Sequence, residues 1–202
     1  DTATLTTINF VENDTDAQAL TASDLKAGDS VGIIQNNASE PGTVTLGLKD
    51  ASGSDDSLTL TLYGQDAAIA LADNGIDDLS IASIETLNIV SDVVVTLGNE
   101  QLKSTEGNTI SDISADTALT TINASGNDKL IMTVGSEATA LTTLDMSGMT
   151  YDTTSTLATG AVAVTLGSGN DILNFGTSLT SADSVTDGGN RTATTADRIT
   201  AT

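Results

Sequence analysis

Cysteine and histidine are both absent from these 202 residues. Without cysteine there is no disulfide framework and no thiolate metal site. Without histidine the usual zinc ligand and the usual general base of a catalytic triad are missing, which leaves oxygen donors and therefore hard cations as the available metal chemistry. Aromatic residues make up 2% of the chain although 38% of it is apolar. A core must then be filled by many small and branched aliphatics in repeated contacts, which suits a thin, repetitive interior.

Basic residues are scarce as well: 6 against 28 acidic ones, for a net charge of −22. Such a chain is repelled by a phosphate backbone or an anionic membrane surface, so nucleic acid is not an expected partner. The single proline and the alternating Val, Ile and Leu runs argue against disorder despite the charge. No apolar run is long enough for a transmembrane segment. The opening at Asp1, without Met or a signal-like stretch, is read as a mature product or an excised piece.

What the chain does have is alternation of period two. Thr43–Leu48, Leu58–Tyr63, Glu85–Ile89 and Ala161–Leu166 each read as a strand with one buried face. Polar joints separate them at Asn36–Ser39, Asp50–Asp56 and Gly188–Asn190. Helix signals are few, and Ser23–Lys26 and Ala67–Ala72 are read as short turns.

The segment Thr117-Ala118-Leu119-Thr120-Thr121-Ile122-Asn123-Ala124-Ser125-Gly126 recurs 22 residues later as Thr139-Ala140-Leu141-Thr142-Thr143-Leu144-Asp145-Met146-Ser147-Gly148. Looser copies follow: Ser168-Gly169 lies 21 residues after Ser147-Gly148, and Gly189 another 20 on. Leu5–Asn9 echoes Leu119–Asn123. A period near this size is what stacked coils produce, because each coil buries its inner face only against its neighbours. The expected fold is all-β: a parallel β-solenoid (β-helix) with coils of about 20 to 22 residues over residues 76–202, preceded by a less regular β-rich part over residues 1–75.

The sharpest motif is Gly167-Ser168-Gly169-Asn170-Asp171-Ile172-Leu173-Asn174. Glycines let the backbone curl, a carboxylate is presented at the end of the turn, and an apolar residue two later points inward. Asp128, within Gly126-Asn127-Asp128-Lys129-Leu130, keeps much of this pattern. Asp183 and Asp197 keep only the Asp-x-apolar core, at spacings of 12 and 14 residues. The candidate metal ligands are therefore Gly167, Gly169, Asn170, Asp171, Asp183, Asp197 and Asp128, with Ca2+ as the cation and tight-turn capping as the competing role for each Asp. The acidic loops Glu12–Asp16 and Asp50–Asp56 lack the complete spacing of an EF-hand and are read as solvated faces.

The motif resembles the calcium-binding nonapeptide of RTX proteins, with Leu166 in place of its first Gly, Gly167, Gly169 and Asp171 matching, and Leu173 at the apolar position. Together with Ile84–Ile89, the Leu-Thr-Thr-Ile/Leu coils and the final Gly-Asn-Asp segment, it makes residues 75–202 similar to RTX-type surface-layer proteins. That resemblance implies type I secretion, an extracellular cell-surface location, self-assembly into a lattice or fibre, and attachment to a cell-surface glycan or lipopolysaccharide. It implies a structural, non-enzymatic job.

Alternatives of other classes are the stalk or ligand-binding segment of a large RTX adhesin and the calcium-folded secretion tail of an exported enzyme. Adjacent acids such as Asp55-Asp56 and Asp77-Asp78 point to opposite faces of a strand, which disfavours a glycosidase pair. The exposed Thr rows, which an ice-binding face would need, are also what any outward strand face carries.

Overall fold

The computed structural model describes residues 7–12, 19–35, 42–64, 74–93, 107–115, 117–189 and 196–201. All regular structure among them is β. One sheet contains β1 (Thr7–Glu12), β3 (Ser30–Gln35), β5 (Ser57–Gly64), β8 (Thr86–Val93), β10 (Thr121–Gly126), β12 (Thr143–Met149), β14 (Ala163–Thr165) and β16 (Ser184–Thr186), in that spatial order. The other contains β2 (Leu20–Leu25), β4 (Thr43–Leu48), β7 (Asp78–Ala82), β9 (Asn108–Ala115), β11 (Leu130–Val134), β13 (Thr153–Leu157), β15 (Ile172–Asn174) and β17 (Arg198–Thr200), with β6 (Asn74–Ile76) also paired to β9. Every pairing is parallel. Chain order alternates between the sheets, which is the winding of a two-faced parallel β-solenoid.

The period-two pattern produces this architecture directly, because alternate residues of a strand face the same side. Stacking then sets like upon like. Leu58, Leu87, Ile122, Leu144 and Val164 form one inward column of the first sheet, all essentially inaccessible to solvent. Val44, Leu79, Ile113, Val134 and Leu157 form its counterpart in the second. Each such side chain stabilises the fold by about 1.5–3 kcal/mol relative to exposure. Phe175 is the largest fully buried side chain.

The repeat found in the sequence is the register of the sheet. Thr121 pairs with Thr143, 22 residues on, Thr143 with Ala163, 20 on, and Ala163 with Ser184, 21 on. Earlier spacings are longer and uneven: Ser30 to Thr59 is 29 residues, Thr59 to Asn88 another 29, and Asn88 to Asn123 is 35. Both sheets run across residue 75, with β5 on β8 and β4 on β7. The echo at Thr7 lies in the same sheet but two residues out of phase, because Thr7 stacks through Ser30, Thr59 and Asn88 in the column of Asn123 rather than that of Thr121.

Two local readings change. Ser23–Leu25 belongs to β2 instead of a turn, with Asp24 at φ 61°, and the turn follows at residues 27–28. Asp56 is not solvated; it is 8% exposed. Ala67–Ala72, Asn36–Ser39 and Asn13–Asp16 lie outside the described residues. No helix among the described residues is long and apolar enough to cross a membrane.

Candidate metal centre

The Gly-rich turn at 167–171 joins β14 to β15 at one edge of the coil. Its glycines are required by close approach of the neighbouring coil: a methyl group at Gly167 would stand 2.6 Å from the Met149 carbonyl oxygen, and one at Gly169 would overlap that of Tyr151. Ser168 N–H donates to the Met149 carbonyl at 3.0 Å, fixing the turn against the preceding coil. Both glycines are buried.

The turn delivers Asp171 into the interior at 1% exposure. In the sheet register, Thr153, Asp171 and Asp197 occupy one column, each just ahead of the paired run Thr154, Ile172 and Arg198 or within it. Oδ1 of Asp171 accepts from both the N–H and the hydroxyl of Thr153, at 2.8 Å each. The N–H of Asp171 in turn donates to Oδ1 of Asp197 at 2.8 Å. The Oδ2 atoms of Asp171 and Asp197 are buried and accept no hydrogen bond. Beside this column Asn170 donates through its N–H and Nδ2 to Oδ1 of Asp152, at 3.0 and 3.2 Å.

The electrostatics follow from this packing. Burial pushes the Asp171 carboxyl above the ordinary carboxylate range, against the hydrogen bonds from Thr153. Burial likewise raises Asp197, aided by the nearby carboxyls of Asp187 and Asp171. Asp187 is held low by the Gly189 N–H. The two coils therefore crowd acidic oxygens at one edge. Among the described residues no three acidic side chains form a metal-holding group, so carboxylates alone would not complete a calcium shell. The donor chemistry fits a hard cation all the same, since both unpartnered oxygens belong to carboxylates in adjacent coils.

The remaining candidates are placed elsewhere. Asp128 is fully buried, but it stands two positions behind the Asp171 column, since Leu130, not Asp128, aligns with Thr153. Its Oδ1 accepts from Lys129 N–H at 2.9 Å, and its own N–H donates to the Ser91 carbonyl. Asp183 precedes β16, in the other sheet. Its Oδ1 accepts Val162 N–H at 2.7 Å and its Oδ2 accepts the N–H and hydroxyl of Thr180 at 2.6 and 3.0 Å. Although burial acts to raise Asp183, these bonds outweigh it and hold the carboxyl low, as befits a turn cap. The sequence pattern thus brings Asp171 and Asp197 together and leaves Asp128 and Asp183 apart.

Thr153, Asp152 and Asp187 were not singled out from the sequence. Asp152-Thr153 lies 19 and 18 residues before Asp171, close to one coil, but carries no glycine to mark it as a turn of this kind. No protein family, curated protein or solved structure matches this chain.

Proposed function

We propose that this chain is a structural module of a secreted bacterial surface protein, a calcium-stabilised solenoid that self-assembles into a lattice or fibre and has no catalytic job. The observation that carries this reading is the Thr153–Asp171–Asp197 column, where two buried carboxylates in successive coils each keep an oxygen without a hydrogen-bonding partner. Burying charge in this way is costly unless a counter-charge accompanies it. Asp171 and Asp197 would hold calcium, which supplies that charge and ties two coils together. The metal would take the place of the disulfides the chain lacks.

Export through a low-calcium cytoplasm, by the type I route that the RTX resemblance implies, leaves the chain unfolded until it meets calcium at about millimolar levels outside, where sites of about 10⁻⁴ to 10⁻³ M affinity fill. Binding to the folded state alone then stabilises it by mass action and offsets part of the repulsion from a net charge of −22. Association of copies is supported by β16 and β17, each of which is paired on one side only among the described residues. A cell-surface glycan or lipopolysaccharide is the proposed anchor.

A calcium titration followed by circular dichroism and light scattering, with magnesium as control, tests the reading. Folding and assembly should both rise with calcium and not with magnesium. A chain that stays folded and monomeric throughout would overturn it.

A further inference from the structure

The joint before β5 holds a second buried carboxylate, which the Asp171 edge does not account for. Asp56 is more than nine-tenths buried, and its Oδ2 is enclosed and accepts no hydrogen bond. The side chain points back into its own loop: a methyl group at Gly53 would lie 2.8 and 2.9 Å from its two carboxylate oxygens. Directly across the coil step, Oε2 of Glu85 accepts the Asp56 N–H at 2.8 Å. The main chain of the two coils is locked here, since Glu85 and Thr86 both donate to the Asp56 carbonyl at 3.0 Å.

Buried polar atoms in folded proteins almost always have a partner, and one that lacks it calls for an ion or a water to complete it. A carboxylate demands more than a water, because its charge is not offset. Two carboxylates from successive coils meet at one joint, roofed by a loop rich in Ser hydroxyls and main-chain carbonyls (Asp50 to Asp55) and open enough at Gly53 to admit no side chain. The larger, more irregular oxygen shell of calcium suits mixed donors of this kind better than the strict octahedron of magnesium. Asp50 is already engaged, its Oδ1 accepting from Ser52 N–H and hydroxyl at 3.2 and 2.7 Å, and it shapes the loop.

We infer that Asp56 and Glu85 hold a calcium ion inside the Asp50–Asp56 loop, at the step from β5 to β8. It shares with the proposed function only the premise that calcium is present, and it stands in the long-coil half of the chain, away from the Gly-rich turn. The ion cross-links two coils whose spacing is too irregular for the repeat to align them.

The test is isothermal titration of the full chain with calcium chloride, repeated with magnesium chloride, for wild type, D56N, E85Q and D171N, together with melts in chelator and in calcium. D56N should bind one calcium fewer than wild type. It should melt no lower than wild type in chelator but lower in calcium. E85Q keeps an acceptor for the Asp56 N–H and loses only the charge, so it should weaken the same step by about tenfold. D171N should leave that step intact, which separates this site from the Asp171–Asp197 column, and assembly does not enter the readout. An unchanged calcium count in D56N, equal destabilisation of D56N in chelator and calcium, or equal affinity for magnesium would overturn the assignment. Should D56N fail to fold, an E85Q isotherm identical to wild type would do so.

Discussion

The N–H of Asp171 donates to Oδ1 of Asp197 at 2.8 Å, one coil further along, just as the N–H of Thr153 donates to Oδ1 of Asp171. Side chain thus replaces main chain as the acceptor at this edge of the solenoid. Each carboxylate satisfies the coil before it with one oxygen and keeps the other buried and without a partner.

Removing the Asp171 side chain leaves two donors of Thr153 without their acceptor in a buried setting. D171A should therefore lose about 2–4 kcal/mol in chelator, and more in calcium. Urea unfolding in each condition measures the difference.

The acid response of the metal-free protein should run opposite to ordinary acid denaturation over part of its range. Asp171 and Asp197 hold their protons more tightly folded than unfolded, because burial raises both. The unfolded state gives up these protons first as pH rises from about 4, so stability falls through that window and recovers as pH is lowered again. Melting temperatures in chelator should rise on going from pH 7 to about pH 5. With calcium present the trend should reverse, since protons then compete with the ion.

Asn108 is buried between coils, and its Nδ2 lies within hydrogen-bonding distance of Ser91 Oγ at 2.8 Å and the carbonyls of Leu62 and Asp92 at 3.3 Å each. N108A strips these acceptors at once. A loss of about 2–4 kcal/mol in urea unfolding is expected, with or without calcium.

Gly126 sits at φ +132°, and a methyl group there would overlap the Ser91 carbonyl, so G126A should unfold the neighbouring coils or cost at least about 3 kcal/mol. Gly47, in β4, has open space around it and an ordinary backbone conformation. G47A should be neutral or stabilising by about 0.4–1 kcal/mol. Paired thermal melts of the two variants check the contrast.

The strands at Thr43–Leu48 and Leu58–Tyr63 were legible in the sequence because a two-residue period leaves one face apolar whatever the strand packs against. The 22-residue offset between Thr121 and Thr143 was legible because a coil that stacks on its own copy must repeat its length. The Gly167–Asp171 turn announced itself through glycines that no other backbone spacing would allow. These are local or periodic signals, and composition and order alone carry them.

Which Asp meets which was not of that kind. Asp128 and Asp171 share the same Gly-Asn-Asp triplet, yet the register sets them two positions apart, and Asp197, with no glycine before it, completes the column instead. Asp56, read from its acidic neighbours as solvated, is enclosed because Glu85 lies 29 residues on, one long coil away. Burial and pairing across coils depend on the length of every intervening loop, and a difference of one or two residues there exchanges an inward carboxylate for an outward one. That sum is settled only when the chain is wound.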